Sequence, residues 1–136
     1  MQKRQGFTLL ELLIVVVILG VLALIAAPSL LNAADQAKEG TVKANISAAA
    51  SSVTSRIALD LSTTNTTADI ADAIVTDLNA ENKNPFDTTA VAFATSGTTA
   101  GSVVISATDA DTITITGYGK TGNLLLTKTI NAPESN

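Results

Sequence analysis

The sequence has 136 residues, a mass of 13.8 kDa and a net charge of −4 at neutral pH. It contains no cysteine and no histidine, which excludes disulfides, thiol nucleophiles and the usual zinc sites, and removes the most frequent general base. The length suffices for one small globular core. After residue 31 the chain holds six basic and eleven acidic side chains, so no nucleic acid partner is expected.

The first predicted element is a helix over residues 9–27, nineteen positions with one charged side chain, Glu11. At 1.5 Å per residue it spans about 28 Å, close to the thickness of a bilayer's hydrocarbon core. A core helix of a soluble protein normally keeps one polar face, and this run has none. Lys3 and Arg4 precede it and the next basic residue is Lys38, which predicts a transmembrane helix with its N-terminus in the cytoplasm.

A specific motif joins the basic leader to the apolar run: Gly6-Phe7-Thr8-Leu9-Leu10-Glu11. It resembles the processing signature of type IV pilins, of the related type II secretion pseudopilins and of competence pilins. The resemblance implies that residues 1–6 are a prepilin leader peptide, that prepilin peptidase cleaves between Gly6 and Phe7, and that Phe7 is then N-methylated. It also implies a single-pass precursor in the cytoplasmic membrane, an inner-membrane pilus assembly platform as partner, and a helical homo-oligomer outside the cell, without a cofactor.

Glu11 is an ionisable residue inside the predicted membrane helix, where it costs about 3 kcal/mol. One interpretation is interfacial snorkelling, because Glu11 lies only four residues after Phe7. The family resemblance implies the other, an assembly salt bridge between Glu11 and the N-terminal amine of Phe7 on a neighbouring subunit.

Gly20 and Pro28 weaken the same helix, since glycine costs about 1 kcal/mol relative to alanine and proline lacks an amide proton. The resemblance implies that the stretch between them loses helical order in assembled filaments. A simple kink at Pro28 is an equally good interpretation of the sequence. Residues 7–31 are therefore expected to form the transmembrane and filament-core helix.

Residues 32–136 are predicted to form a globular head domain. Apolar residues at three- and four-residue spacings extend the helix to about residue 60, and a loop with a short helix follows at 62–80, capped by Thr66 or Thr67. From about residue 90 to 131 the pattern alternates, with strands at 102–108, 112–116 and 124–130 and a fourth at 90–95. The predicted class is α+β, a long N-terminal helix whose second half packs on a C-terminal antiparallel sheet, as in the pilin fold.

The favoured function is that of a structural subunit of a type IV pilus for adhesion or motility. The alternative is the major pseudopilin of a type II secretion system; a competence pilin that takes up DNA fits the acidic domain less well. Pseudopilins commonly carry a calcium loop, but Asp109 and Asp111 flank a hairpin turn and are interpreted as a solvated turn, with no metal site predicted. Asp69, Asp72 and Asp77 have the spacing of solvent-facing helix residues, so an enzyme is not expected.

Overall fold

The computed structural model describes residues 6–60 and 65–132 of the chain. The elements in chain order are α1 (Leu9–Asp60), α2 (Thr67–Glu81), β1 (Phe93–Ala94), β2 (Val103–Asp109), β3 (Thr112–Tyr118) and β4 (Leu124–Asn131). The predicted α+β class is confirmed, with a long helix followed by a short helix and a sheet. Most of the predicted leader, residues 61–64 of the region around the predicted loop, and the last four residues lie outside the described part.

The chain divides into two compact units, one ending at Asp35 and the other beginning at Gln36. Helix α1 contributes to both. In the first unit every helical residue before Asp35 is exposed. In the second unit α1 acquires a buried stripe, because apolar side chains recur there at three- and four-residue spacings and so share one face. The buried members of this stripe are Val42, Ile46, Ala49, Ala50, Val53 and Ile57.

The core of the second unit lies between this stripe and the sheet. Ile105, Ile113 and Ile115 project from β2 and β3 into the same hydrophobic cluster and are fully buried. Gly117 permits the closest approach of α1 to β3, since a Cβ atom at this position would lie 2.4 Å from Cδ1 of Ile46. The predicted packing of the second half of α1 on a sheet is therefore confirmed.

The four strands form one sheet in the order β1-β2-β3-β4. β2 pairs with β3 and β3 with β4 in antiparallel fashion, as predicted. The predicted strand at 90–95 is reduced to Phe93–Ala94, and it runs parallel to β2, so the sheet is mixed. Asn79 of α2 covers the outer edge of β1, because its side-chain amide donates to the Phe93 carbonyl and its Oδ1 accepts from the Phe93 amide. A side chain thus occupies the hydrogen-bonding groups that a further strand would need.

Helix α2 begins at one of the two predicted caps, Thr66, and forms a capping box there. Thr66 Oγ1 accepts from the Asp69 amide at 3.2 Å, and the Asp69 carboxylate accepts from the Thr66 amide at 2.9 Å. Together these bonds satisfy two groups that an open helix end would leave without partners. The hydrogen bonds from the Thr66 hydroxyl and amide lower the pKa of Asp69 below its ordinary value. Thr66 is therefore the N-cap, and Thr67 is the first helical residue.

Candidate functional site

The N-terminal end of α1 carries a second capping box, formed by Thr8 and Glu11. Glu11 Oε2 accepts from the Thr8 amide at 3.1 Å and from the Thr8 hydroxyl at 3.0 Å, while Thr8 Oγ1 accepts from the Glu11 amide at 3.3 Å. Because both residues bond each other's backbone amide, the first turn of the apolar helix is closed by its own side chains. Glu11 is thus fixed at the entrance of the helix by a polar neighbour three residues away.

Gly6 and Phe7 lie just outside this helical end. Neither residue belongs to a helix or strand, and both are exposed. A Cβ atom added at Gly6 would meet nothing within 4 Å, so the packing of the chain itself does not require a glycine there. The bond between Gly6 and Phe7 is therefore accessible, and it lies immediately before the cap.

Among the described residues of its unit, the apolar half of α1 is exposed along its length. Phe7 is 85% exposed and Leu9 is 86% exposed, and the large aliphatic side chains from Leu10 to Leu31 are all roughly half exposed or more. Monomeric soluble proteins rarely expose so continuous an apolar surface. Within the described residues, α1 is long and apolar enough to cross a membrane by length and composition.

Gly20 and Pro28 both lie inside α1, and the helix extends past each of them without interruption. Pro28 cannot donate a backbone hydrogen bond, and the side of the helix at Gly20 has nothing within 4 Å of a Cβ position. The isolated chain is thus helical across the stretch that the sequence identifies as weak. Loss of helical order there on assembly stays a prediction.

The acidic residues of the second unit include Asp77 on α2 and Asp109 and Asp111 at the β2–β3 turn. Within residues 6–60 and 65–132, no group of three or more acidic side chains is close enough to hold a metal ion. Backbone carbonyls at the β2–β3 turn accept internal hydrogen bonds, from the Thr67 hydroxyl at Asp109 and from the Ala132 amide at Asp111. Asp77 forms an ion pair with Arg56. Asp109 and Asp77 thus take part in contacts that support the fold.

Thr8 is the residue of this site that the sequence analysis did not single out. The signal was present, since Thr-x-x-Glu before an apolar run is the sequence signature of a capping box. It was missed because Glu11 was considered only as a charge in a membrane, for which a cation is the expected partner. The structure brings Glu11 together with Thr8, whereas an intersubunit pair with Phe7 requires a second copy.

The described residues combine an exposed apolar helix, whose first turn is capped by Thr8 and Glu11, with an α+β unit, which is a pilin-like arrangement. The family of the prokaryotic N-terminal methylation motif matches residues 1–27. The chain is also similar to the type II secretion system core protein G of Pseudomonas aeruginosa, with 47% identity over 55 residues that cover 39% of each chain. The type IV narrow pilus major component PilA5 of Thermus thermophilus is 44% identical over 57 residues, which cover 42% of this chain and 46% of that protein. These matches make the N-terminal region of the chain similar to that of type IV pilins and of the related pseudopilins.

The matched region spans less than half the length of these curated relatives. The comparisons therefore bear on the N-terminal region and leave pilus and pseudopilus as two functions of one family. No solved structure matches the chain.

Proposed function

We propose that this chain is the structural subunit of a type IV pilus, stored in the cytoplasmic membrane and polymerised into a helical surface filament for adhesion or motility. The observation that carries the proposal is the apolar half of α1, which is exposed along its length and carries one charged residue, Glu11. Such a helix requires lipid before assembly and the helices of other copies afterwards, because exposed apolar surface of this extent is unfavourable in water.

Processing is proposed to remove residues 1–6 by cleavage between Gly6 and Phe7, with prepilin peptidase as the enzyme and N-methylation of Phe7 as the next step. The accessible, non-helical backbone at this junction supports the proposal. A glycine that the chain's own packing does not need is consistent with close approach of a protease to the backbone. Cleavage at this position removes Lys3 and Arg4 and retains the membrane anchor.

Glu11 is proposed to pair, on assembly, with the N-terminal amine of Phe7 from a neighbouring subunit. A carboxylate moved into an apolar filament core must be matched by a positive group. Both bonds from Thr8 go to Oε2 of Glu11, and among the described residues no hydrogen bond to Oε1 is formed, so that oxygen can accept a further donor. Phe7 precedes Glu11 by four residues and lies outside the helix. If the helix extended to Phe7, its amine would be about 6 Å from Glu11 along the axis, which favours the amine of a staggered neighbour.

Four substitutions separate this salt bridge from the capping box. We expect Glu11→Ala to leave cleavage and membrane levels near normal and to remove most surface filaments, with Glu11→Asp intermediate because its charge is kept at shorter reach. Glu11→Gln keeps an oxygen that can accept from Thr8 but has no charge, so it should resemble Glu11→Ala. Thr8→Val removes the hydroxyl and should be milder than either. Electron microscopy at matched pilin levels measures filament number.

The result that contradicts the salt bridge is a normal number of filaments from Glu11→Gln or Glu11→Ala. If Glu11→Gln gives a normal number of filaments and Thr8→Val does not, the Glu11 side chain acts only as a helix cap. If all four variants assemble normally, Glu11 is a snorkelling residue at the membrane interface.

The second candidate is the major pseudopilin of a type II secretion system. It is favoured by the similarity to protein G of that system in Pseudomonas aeruginosa and in Klebsiella pneumoniae. Deletion of the gene separates the candidates: a pilus subunit should leave cells without surface filaments while exoprotein secretion continues, and a pseudopilin should give the reverse. Mass spectrometry of the main band from sheared filaments identifies the subunit directly.

A further inference from the structure

Charge is distributed unequally between the two flanks of the second unit. Helix α2 holds four carboxylates and no basic residue: Asp69, Asp72, Asp77 and Glu81. From Thr112 to Ala132, in contrast, the chain holds Lys120 and Lys128 and no acidic residue. Helix α2 packs on β1, β2 and β3, while β4 is the last strand at the other side of the sheet. The acidic and basic segments therefore lie on either side of α1, and the grooves beside them share Ser51 and Ser55 of that helix.

The acidic flank contains an apolar groove between α1 and α2, with a volume of about 340 Å³. Ile74 and Leu78 line it from α2, and Leu59 lines it from α1 with 76% of its surface exposed. Asp77 stands at the groove and pairs with Arg56, which offsets its charge. Glu81 is exposed and follows Asp77 by four residues, so it lies one turn further on the same face of α2. Leu59, Ile74, Leu78 and the paired Arg56 and Asp77 line this groove, and Glu81 lies one turn of α2 beyond it. We call these residues together the acidic groove, since Glu81 is the carboxylate among them that forms no ion pair within the described residues.

The basic flank is formed by the outer strand of the sheet. Leu126 pairs with Gly117 and Lys128 with Ile115, so both side chains belong to the face of the sheet that packs on α1. Because β4 lies beyond the helix, Leu126 is 45% exposed, and Lys128 lines a second groove with Ser51 of α1. Within residues 6–60 and 65–132, Lys128 forms no ion pair. We call Leu126 and Lys128 the basic edge.

We propose that the basic edge of one copy docks on the acidic groove of the next copy in the filament, with Leu126 against Leu59 and Lys128 facing Glu81. The proposal deepens the proposed function and rests on it. Each surface combines an exposed leucine with a charge, and the charges are opposite, so the surfaces complement each other and repel themselves. Two different patches on one chain join copies head to tail, which produces an open helical array when the rotation does not close a ring.

A lysine on an outer strand has a simpler use, since it prevents unwanted pairing of the strand edge. That use predicts that any charged residue at position 128 suffices. Docking on the acidic groove instead requires a positive charge and depends on the sign of the charge at position 81. Charge reversal therefore distinguishes the two.

The first test uses full-length protein in cells that assemble filaments. Lys128→Glu and Glu81→Lys each place like charges across the contact, and we expect each to reduce filament number at least about tenfold at matched membrane levels. The double variant restores the attraction with its direction reversed, and filament number should return to within about twofold of wild type. Asp72→Lys is the matched control, because Asp72 is an exposed carboxylate on the face of α2 opposite Glu81 at 3.6 residues per turn, and it should assemble normally.

A second test detects the contact itself and uses the absence of cysteine in the natural chain. In filaments of the Leu59→Cys, Leu126→Cys double variant, a short bis-maleimide should link successive copies into a ladder on denaturing gels, and each single variant should stay monomeric. Dimers from a single variant would show a symmetric contact, and a product of another mass would show a different partner. Either result overturns the proposal.

Normal filaments from Lys128→Glu and Glu81→Lys, with no ladder in the second test, also overturn it and leave the proposed function intact. Wild-type filaments that do not contain this chain contradict the proposed function itself. The two failures are therefore distinguishable.

Discussion

Alanine at Gly117 is expected to destabilise the head domain because of one crowded contact. The new Cβ atom would lie 2.4 Å from Cδ1 of Ile46 and 3.1 Å from Cγ1 of Val42, and both side chains are buried. Overpacking of a core usually costs about 1–3 kcal/mol. Gly117 is not at positive φ, and replacing glycine in a strand recovers about 0.5–1 kcal/mol. We therefore expect a net loss of about 1–2 kcal/mol of unfolding free energy.

Ile46→Val supplies the suppressor, because it removes Cδ1, the atom nearest the new methyl group. Alone it should cost about 0.5–1.5 kcal/mol through the lost methylene. Combined with Gly117→Ala it should cost no more than Ile46→Val alone, so the two changes are coupled by about 1 kcal/mol or more. Gly40→Ala is the matched control, since Gly40 is exposed in α1 with nothing within 4 Å of its Cβ position, and alanine should stabilise the helix there.

The assay is thermal and urea unfolding of residues 32–136, a fragment that holds every residue of the hydrophobic core. Circular dichroism should show mixed helix and sheet. Gly117→Ala should lower Tm by about 5 °C or more, and Gly40→Ala should raise it. Additive losses for Gly117→Ala and Ile46→Val would refute the contact, and a disordered spectrum of the unsubstituted fragment would show that the head domain needs assembly to fold.

Three further predictions concern the same fragment. Asn84→Ala should cost about 2–4 kcal/mol by urea unfolding, because buried Asn84 accepts from the Phe86 amide and donates to the Ala100 carbonyl; a loss below 1 kcal/mol would contradict this. Thr66→Ala should cost about 1 kcal/mol as a lost N-cap. Thr66→Ala should also make the unfolding free energy less sensitive to acid. In the unsubstituted fragment the lowered pKa of Asp69 stabilises the fold above the ordinary aspartate pKa, and this stabilisation is lost as pH falls below about 4. An unchanged dependence of the unfolding free energy on pH would contradict this explanation. Arg56→Ala should cost no more than about 1 kcal/mol, since its ion pair with Asp77 is exposed to solvent.

Features with a local cause were predictable from the sequence. The buried stripe of α1, the Thr66 cap and strands β2 to β4 follow from the spacing of apolar residues and from turn chemistry, and each lies within about two residues of its expected place. The parallel pairing of β1 was not predictable, because a strand of two residues has no alternating pattern and its outer edge is bonded by Asn79 of a different element. Gly117 likewise shows its packing role only when α1 and β3 meet.

The functional residues likewise include local features that the sequence predicts and long-range ones that it does not. The motif at Gly6, Phe7 and Glu11 is contiguous, so its chemistry can be proposed from the sequence. The acidic groove and the basic edge join residues that are far apart in the chain, and sequence spacing carries no signal for either. The role of Thr8 lies between these cases. The Thr-x-x-Glu pattern is local, but it indicates a cap only if Thr8, and not a cation, is considered as the partner of Glu11.

The measurement that tests the central claim most directly is the intact mass and N-terminal sequence of the chain in purified filaments. Our account predicts that the mature protein begins at Phe7 and carries one additional methyl group on its amine. Gly6→Leu should leave uncut precursor in the membrane, which links the mass to the junction itself. A filament protein that retains Met1, or one whose chain begins near Ala27 after loss of the apolar helix, would contradict the account.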